Sequence, residues 1–344
     1  MKVKLFSTLL SVCIFWLISC KKDEPASGAG NYTEGVFIVN EGPFAGTGTI
    51  TWHNPNTGET VQDVFGKANN GATLGQFVQS MTLHEGKAYI VVNGANKIVV
   101  ADAVTFQFLD TIGGFALPRF FFPTGNDEAF VSQWGADGLT GSIEWVNLTT
   151  NKIVASTPVG KGPEKIFRNS NRTIFVANSG GFGVDSTFAI LQISPPNHIP
   201  VVGKNPVCIG EIGTGPGSDM FVLCKGDYLA ANPLGFLDHL EDTSVFNNDH
   251  EVPLFSDDLV SAPDRNTLYF TGGGGIYEVT ATGFRKIFDQ PAYGLGCDPA
   301  TGYLYCADAK DFNSAGEVVI YKPNGEKVGS FPVGIAPGEV VFIP

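Results

Sequence analysis

Basic residues are scarce in this 344-residue chain: 21 Lys and Arg stand against 34 Asp and Glu, for a formal net charge of −13. That balance lacks the basic footprint a nucleic-acid partner requires, so nucleic acid is not an expected target. The acidic excess reads as a solvated surface. Histidines number five, scattered without zinc-ligand spacing, and no Cys-x-x-Cys occurs. Gly-x-Ser-x-Gly is missing, no His stands beside a nucleophile motif, and the carboxylates form no readable pair. Catalysis therefore finds no motif to rest on, and the expectation is a protein that is not an enzyme and carries no cofactor or metal. Past the amino terminus there is also no long apolar stretch of 3.6-residue period, which argues against a helical core.

What the chain has is glycine (43), phenylalanine (27) and short apolar runs cut by turn formers. Gly162-Pro163-Glu164-Lys165-Ile166-Phe167-Arg168 reads as a Gly-Pro turn and a strand, and Thr173-Ile174-Phe175-Val176-Ala177-Asn178 as a second strand. The glycine-rich loop Ser179-Gly180-Gly181-Phe182-Gly183 follows. Relatives of the second strand recur at 36–40, 88–93, 129–133, 227–232, 268–271 and 304–308, seven copies in all. Their anchors, Phe37, Tyr89, Phe130, Phe175, Tyr228, Tyr269 and Tyr305, lie 36 to 53 residues apart. A period of about 45 residues made of short strands is what one propeller blade occupies.

Six of the copies follow a turn and another strand, near residues 75, 117, 162, 215, 254 and 291. The first copy does not, and the chain ends on residues 334–343, the missing strand without a successor. The expected fold is therefore all-β: a seven-bladed β-propeller of four-stranded antiparallel blades, the C-terminal strand closing the ring on the blade begun at Val36. Residues 233–242 are expected to form a helical turn on a loop.

The amino terminus is a separate region. A basic start and the apolar run from Leu5 to Ile18 have signal-peptide length, too short to span a membrane. Leu17-Ile18-Ser19-Cys20 resembles a bacterial lipobox, which implies lipidation at Cys20; the alternative is an ordinary signal peptide with an incidental Cys. Lys21-Lys22-Asp23-Glu24 resembles the surface-export signal of Bacteroidota lipoproteins and does not fit inner-membrane retention. The expected organisation is a signal at 1–20, a flexible tether at 21–34 and one propeller at 35–344, lipid-anchored in the outer membrane and facing the exterior. Four cysteines remain in the mature chain. Local pairing, Cys208 with Cys224 and Cys297 with Cys306, is expected because each couple brackets a turn or strand pair; four free buried thiols are the alternative.

Phrases such as Val159-Gly160-Lys161-Gly162-Pro163 and Phe175-Val176-Ala177-Asn178 resemble the YncE/YVTN-type propellers. Phe37-Ile38-Val39-Asn40-Glu41-Gly42, residues 91–97, Ser132-Gln133-Trp134-Gly135 and residues 177–183 resemble more closely the seven-bladed surface lipoproteins of Bacteroidota. The resemblance spans residues 35 to 344. Some members of that group capture cobalamin (vitamin B12) and hand it to an outer-membrane transporter, while others have no assigned ligand. What it implies is a monomeric binder of a small molecule, cobalamin first, partnered by a TonB-dependent transporter.

In such a blade the turn before the first strand and the loop after the second open on one face. The turns offer Gln79, Arg119, Glu164, Lys165, Asp219, Asp257, Tyr293 and Glu339; the loops offer Asn40, Glu41, Phe44, Asn93, Asn96, Gln133, Trp134, Asn178, Phe182, Asn232, Phe236, Asp308 and Phe312. Amides interspersed with aromatics suit a bulky polar ligand, because rings give flat contact and amides give directional hydrogen bonds. The same Asn residues also serve as turn formers, and Arg119 and Lys165 as partners of neighbouring carboxylates. A glycan or a protein is the alternative ligand. A calcium-dependent propeller hydrolase or lactonase, using Glu41, Asn178, Asp219 and Asp308, is the alternative enzyme.

Overall fold

A computed structural model describes residues 30–191, 196–201, 203–215, 217–227, 230, 235–241, 245–253, 257–280 and 283–344. The signal and lipobox residues, with Cys20, lie outside the described residues, as do Tyr228 and Asn232.

The second strands show why this sequence makes blades. Val36–Asn40, Ile174–Asn178 and Leu268–Gly272 are rich in β-branched and aromatic residues, and every residue in each is buried. A sheet with one wet face would alternate; here both faces are covered, so the apolar run is continuous. Phe37 and Val39 join the core shared with blade two, whereas Val36 and Ile38 join the core shared with blade seven. Each interface between blades thus has its own apolar cluster, filled from alternate residues of the same strand.

Seven four-stranded antiparallel sheets result. Six are sequential hairpin meanders. The first is built from both ends of the chain: Pro337–Phe342 is its innermost strand and pairs with Val36–Asn40, followed by Thr49–His53 and Thr60–Val61. Val36 faces Phe342, Phe37 faces Val341 and Ile38 faces Val340. Outer strands are exposed, as at Phe108–Ile112 in blade two and Lys152–Pro158 in blade three. A short α-helix, Val64–Ala68, packs into the core shared by blades one and two.

Three expectations need correction. In blade five the first two strands are Pro206–Ile212 and Asp219–Cys224, with Phe221 in place of the expected anchor Tyr228. Where a helical turn is expected, the described residues Gly235–Glu241 form the third strand instead and pair with Asp219–Cys224. The tether ends early: Tyr32 is 5 % exposed, meets Phe37 and Phe106 edge-on, and donates its N–H to the Val104 carbonyl.

The disulfides are also corrected to four free cysteines. Cys208 belongs to the core between blades five and six and Cys224 to that between four and five, on opposite faces of blade five. Cys297 lies opposite Leu304, and Cys306 opposite Leu295. The two cysteines are thus diagonal neighbours, a separation of about 7–8 Å that exceeds the reach of a disulfide. Burial pushes the Cys208 and Cys297 thiols up to about 12, so neither is a ready nucleophile.

The first strand of each blade lines the central channel. The turns before these strands and the loops after the second strands open on one face. Both described chain ends lie on the other: Tyr32, Thr33, Ile343 and Pro344 gather beside the His84-Glu85-Gly86 turn. Deleting residues 339–344 removes the strand that closes the ring and uncovers the edge of Val36–Asn40. A truncated chain is expected to lose its cooperative thermal transition, measured by calorimetry; an unchanged melting temperature would contradict closure as the source of stability.

Candidate functional site

On the loop-bearing face, the channel mouth carries a circuit of polar side chains drawn from six blades. Tyr293 of blade seven donates its hydroxyl to Glu41 Oε1 of blade one at 2.9 Å. Gln79 of blade two donates to the same oxygen at 3.4 Å and accepts from Arg119 of blade three. Arg119 Nε donates to Glu164 Oε2 of blade four at 3.0 Å, and Ser179 supplies the other Glu164 oxygen at 3.1 Å. A chord crosses the channel where Lys165 Nζ meets Asp258 Oδ1 of blade six at 2.5 Å. Asp258 also accepts the Leu259 and Leu295 N–H groups, each at 3.0 Å, which ties blade six to blade seven. Glu339 on the closing strand accepts the Met81 N–H at 2.8 Å and fastens blade one to blade two.

Sequence places these residues by a simple rule. Glu41, Trp134, Ser179 and Lys225 each follow the last residue of a second strand, while Gln79, Arg119 and Glu164 are each second in a first strand. Glu41, Gln79, Arg119, Glu164 and Lys225 line a cavity of about 120 Å³, together with Lys165, Asp257, Asp258 and Tyr293. Its electrostatics follow from burial. Desolvation raises the carboxyls of Glu41 and Asp257, only partly offset by Arg119 beside Glu41 and Lys225 beside Asp257. Glu339 is lifted by burial to about 7, against the pull of Lys165 and the Met81 N–H. Burial works against the charge of Lys165 as well, but the Asp258 carboxylate and its other acidic neighbours outweigh it and hold its ammonium firmly protonated.

Around this mouth stand aromatics. Phe44, Phe182 and Phe312 are 80 %, 71 % and 48 % exposed. Each is backed by an inner ring: Phe44 by Phe77 at 5.7 Å, Phe182 by Trp134 at 5.5 Å, Phe312 by Tyr293 at 5.0 Å. Trp134 in turn lies beneath the Arg119 guanidinium, 4.4 Å from its ring centre. Phe77 and Phe312 hold φ of 54° and 60°, a left-handed conformation that disfavours bulky side chains by roughly 1–2 kcal/mol. Such strain persists where surrounding contacts impose it, often at binding sites.

Glycines fix the Phe182 loop. A Cβ on Gly162, at φ 58°, would stand 2.0 Å from Gly181 N, and one on Gly181 would stand 2.1 Å from Gly138 O. The close approach lets Ser179 N–H reach Gly162 O and Phe182 N–H reach Gly138 O. Two loops and a turn are thereby joined through their backbones.

Of the expected site residues, Glu41, Gln79, Arg119, Glu164, Lys165 and Tyr293 converge on the cavity, and Phe44, Trp134 and Phe182 on its rim. The amides do not. Asn40 and Asn178 are fully buried and clamp their blades, Asn40 Nδ2 to Thr51 Oγ1 at 3.0 Å and Asn178 Nδ2 to Thr187 Oγ1 at 2.9 Å. Asn93 donates to the Pro118 carbonyl, and Gln133 to Ser142 and Glu144. Phe236 is the second residue of a third strand and packs against the core of blades four and five. Asp308 lies in a neighbouring groove with Phe312. Asp258 and Lys225 were not anticipated. Asp258 is the second of an acidic doublet, and Lys225 occupies in blade five the place of Glu41 in blade one. The four side chains proposed for calcium occupy separate places: Glu41 at the cavity, Asn178 inside blade four, Asp308 in the groove, and Asp219 against His239 Nε2 at 3.0 Å.

Residues 34–201 match a family model described as a domain of unknown function, DUF5074. The match runs across the second strand of blade one to the end of blade four. No curated protein matches the chain. Among solved structures the chain is similar to a quinoprotein alcohol dehydrogenase-like protein from Bacteroides thetaiotaomicron, at 13 % identity and TM-score 0.64, covering 91 % of this chain and 79 % of that one. It is also similar to hydrazine synthase from Kuenenia stuttgartiensis, at 14 % identity and TM-score 0.61, covering 78 % and 92 %. A functionally unknown protein from Desulfotomaculum acetoxidans matches at 13 % identity and TM-score 0.61, covering 90 % and 98 %. At such identities the likeness is one of fold.

The buried Glu339 carboxyl gives a signed prediction. In the unfolded chain it ionises near its ordinary 4.5, in the folded chain only near 7. Its contribution to stability is therefore complete below about 4.5 and lost as pH rises through about 7. Denaturant titrations across this window should show stability falling with pH, and Glu339→Gln should flatten the fall. An unaltered pH slope in the variant would contradict the assignment.

Proposed function

We propose that this propeller is a non-enzymatic capture protein, lipid-anchored through Cys20 at the outer surface, that holds a bulky polar ligand against its loop-bearing face. Cobalamin is the leading candidate, for delivery to a TonB-dependent outer-membrane transporter. The observation that carries the reading is the ring of exposed Phe44, Phe182 and Phe312 around a charged, hydrogen-bonding mouth. Large aromatics left in water on three separate loops of one face mark a contact surface. They offer flat area at low entropic loss, and their inner neighbours hold them in place.

The size of the mouth shapes the proposal. A cavity of about 120 Å³ falls below the roughly 300–1,000 Å³ of pockets that enclose a drug-sized ligand. A corrin would lie across the rim, its ring on the phenylalanines and its side-chain amides turned to Arg119, Glu41 and Lys225. Asn40, Asn93, Gln133 and Asn178, first expected to meet it, are committed inside the blades, so charged groups and Gln79 take over the directional contacts. The calcium-hydrolase alternative gains no support from the geometry, since its four side chains are dispersed.

Titrating the protein with cyanocobalamin by calorimetry tests the reading; no heat at micromolar protein would remove cobalamin from it. Phe182→Ala should weaken binding about tenfold, the worth of one lost aromatic stack. Its melting temperature should stay within a few degrees of the parent, because an exposed side chain buries little core. Unchanged affinity would remove the Phe182 loop from the site.

A further inference from the structure

Between blades six and seven the loop-bearing face opens into a groove of about 360 Å³, large enough for a small organic molecule. Pro291, Ala292 and Phe312 give it an apolar wall. Asp257 and Tyr293 line both this groove and the channel cavity, so the two are continuous. Tyr293 spans the junction: its ring meets Phe312 in the groove, and its hydroxyl donates to Glu41 in the cavity.

The charges at this junction do not balance. Four carboxylates, Glu41, Glu164, Asp257 and Asp258, line the cavity with three cations. Arg119 is taken by Glu164 and also lies beside Glu41, and Lys165 is taken by Asp258, which leaves Lys225 as the cation beside Asp257, with no salt bridge closed between them. The Asp257 main chain is satisfied, its N–H by Thr271 Oγ1 and its carbonyl by the Cys208 thiol. Its carboxylate accepts no hydrogen bond from a described residue, and burial raises its carboxyl above the ordinary range. A half-buried carboxylate in that position favours the arrival of a cation.

We propose that the groove binds an organic cation, a primary ammonium on an apolar body, with the ammonium at Asp257 and the body along Phe312, Pro291 and Ala292. The cavity beyond is too small for the body, so the charged end leads. A neutral ligand would leave Asp257 without a partner, and an anion would be repelled. Lys310 and Asp308 also line the groove, one charge of each sign, and the Lys310 ammonium is engaged by the Ala315 carbonyl at 2.9 Å. The inference rests on the loop-bearing face being a ligand site, but not on cobalamin being the ligand.

Calorimetry with 2-phenylethylammonium and its neutral counterpart 2-phenylethanol tests it on the protein itself. The ammonium should bind at least about tenfold more tightly than the alcohol, the scale of a charge-assisted hydrogen bond. Asp257→Asn should abolish that difference while keeping the melting temperature at or above the parent value, since it removes a carboxylate that burial penalises and that no described donor satisfies. Phe312→Gly, which suits the left-handed backbone, should weaken both probes. Equal binding of the two probes, no binding of the ammonium at millimolar concentration, or full ammonium affinity in Asp257→Asn would each overturn the proposal. Cyanocobalamin reads the rim separately, so a rim that binds no cobalamin and a groove that binds no ammonium are distinguishable results.

Discussion

Everything in this molecule depends on one pairing, between Pro337–Phe342 and Val36–Asn40. A row of blades laid side by side has two raw ends, each an apolar face and an unpaired strand edge. Bringing the chain termini into a single blade eliminates both. Because each interface between blades is filled by alternate residues of fully buried strands, the seven clusters share the same strands and cannot loosen independently. Closure therefore acts on every blade, including those far from the seam.

Closing a ring of sheets leaves an axis that apolar side chains do not fill, and the polar circuit occupies it. Arg119, Glu164, Lys165 and Asp258 bond across blades that belong to separate sheets. The charges are desolvated, and buried ion pairs are weak sources of net stability. Their effect is to fix angle: each donor and acceptor has one geometry, so neighbouring blades are held in one rotation about the axis. The residual carboxylates, Glu41, Asp257 and Glu339, are what such an arrangement leaves over.

Much of the fold was legible because turns and aromatics repeat at blade length, and the seam because the first blade lacks a strand that the last residues supply. Blade five was misread by one strand. Gly215-Pro216-Gly217-Ser218 resembles the turn that leads into a first strand, yet here it joins the first to the second, and the true anchor is Phe221. That slip concealed Lys225, whose position after Cys224 matches that of Glu41 after Asn40. The channel residues were legible because strand order alone sends the turns to one mouth. The amides misled for a physical reason: an Asn at the end of a strand can point outward or clamp the next strand through its side chain, and the sequence is the same in both cases.

The chain ends, gathered beside the His84-Glu85-Gly86 turn, give the ring a direction in space. Any attachment made through the segment before Tyr32 grips the disc by its underside. The phenylalanine-bearing loops then look outward from the point of attachment, about one strand length farther off. Under the proposed capture role nothing would need to rotate or open for a ligand arriving from solution to meet these loops first.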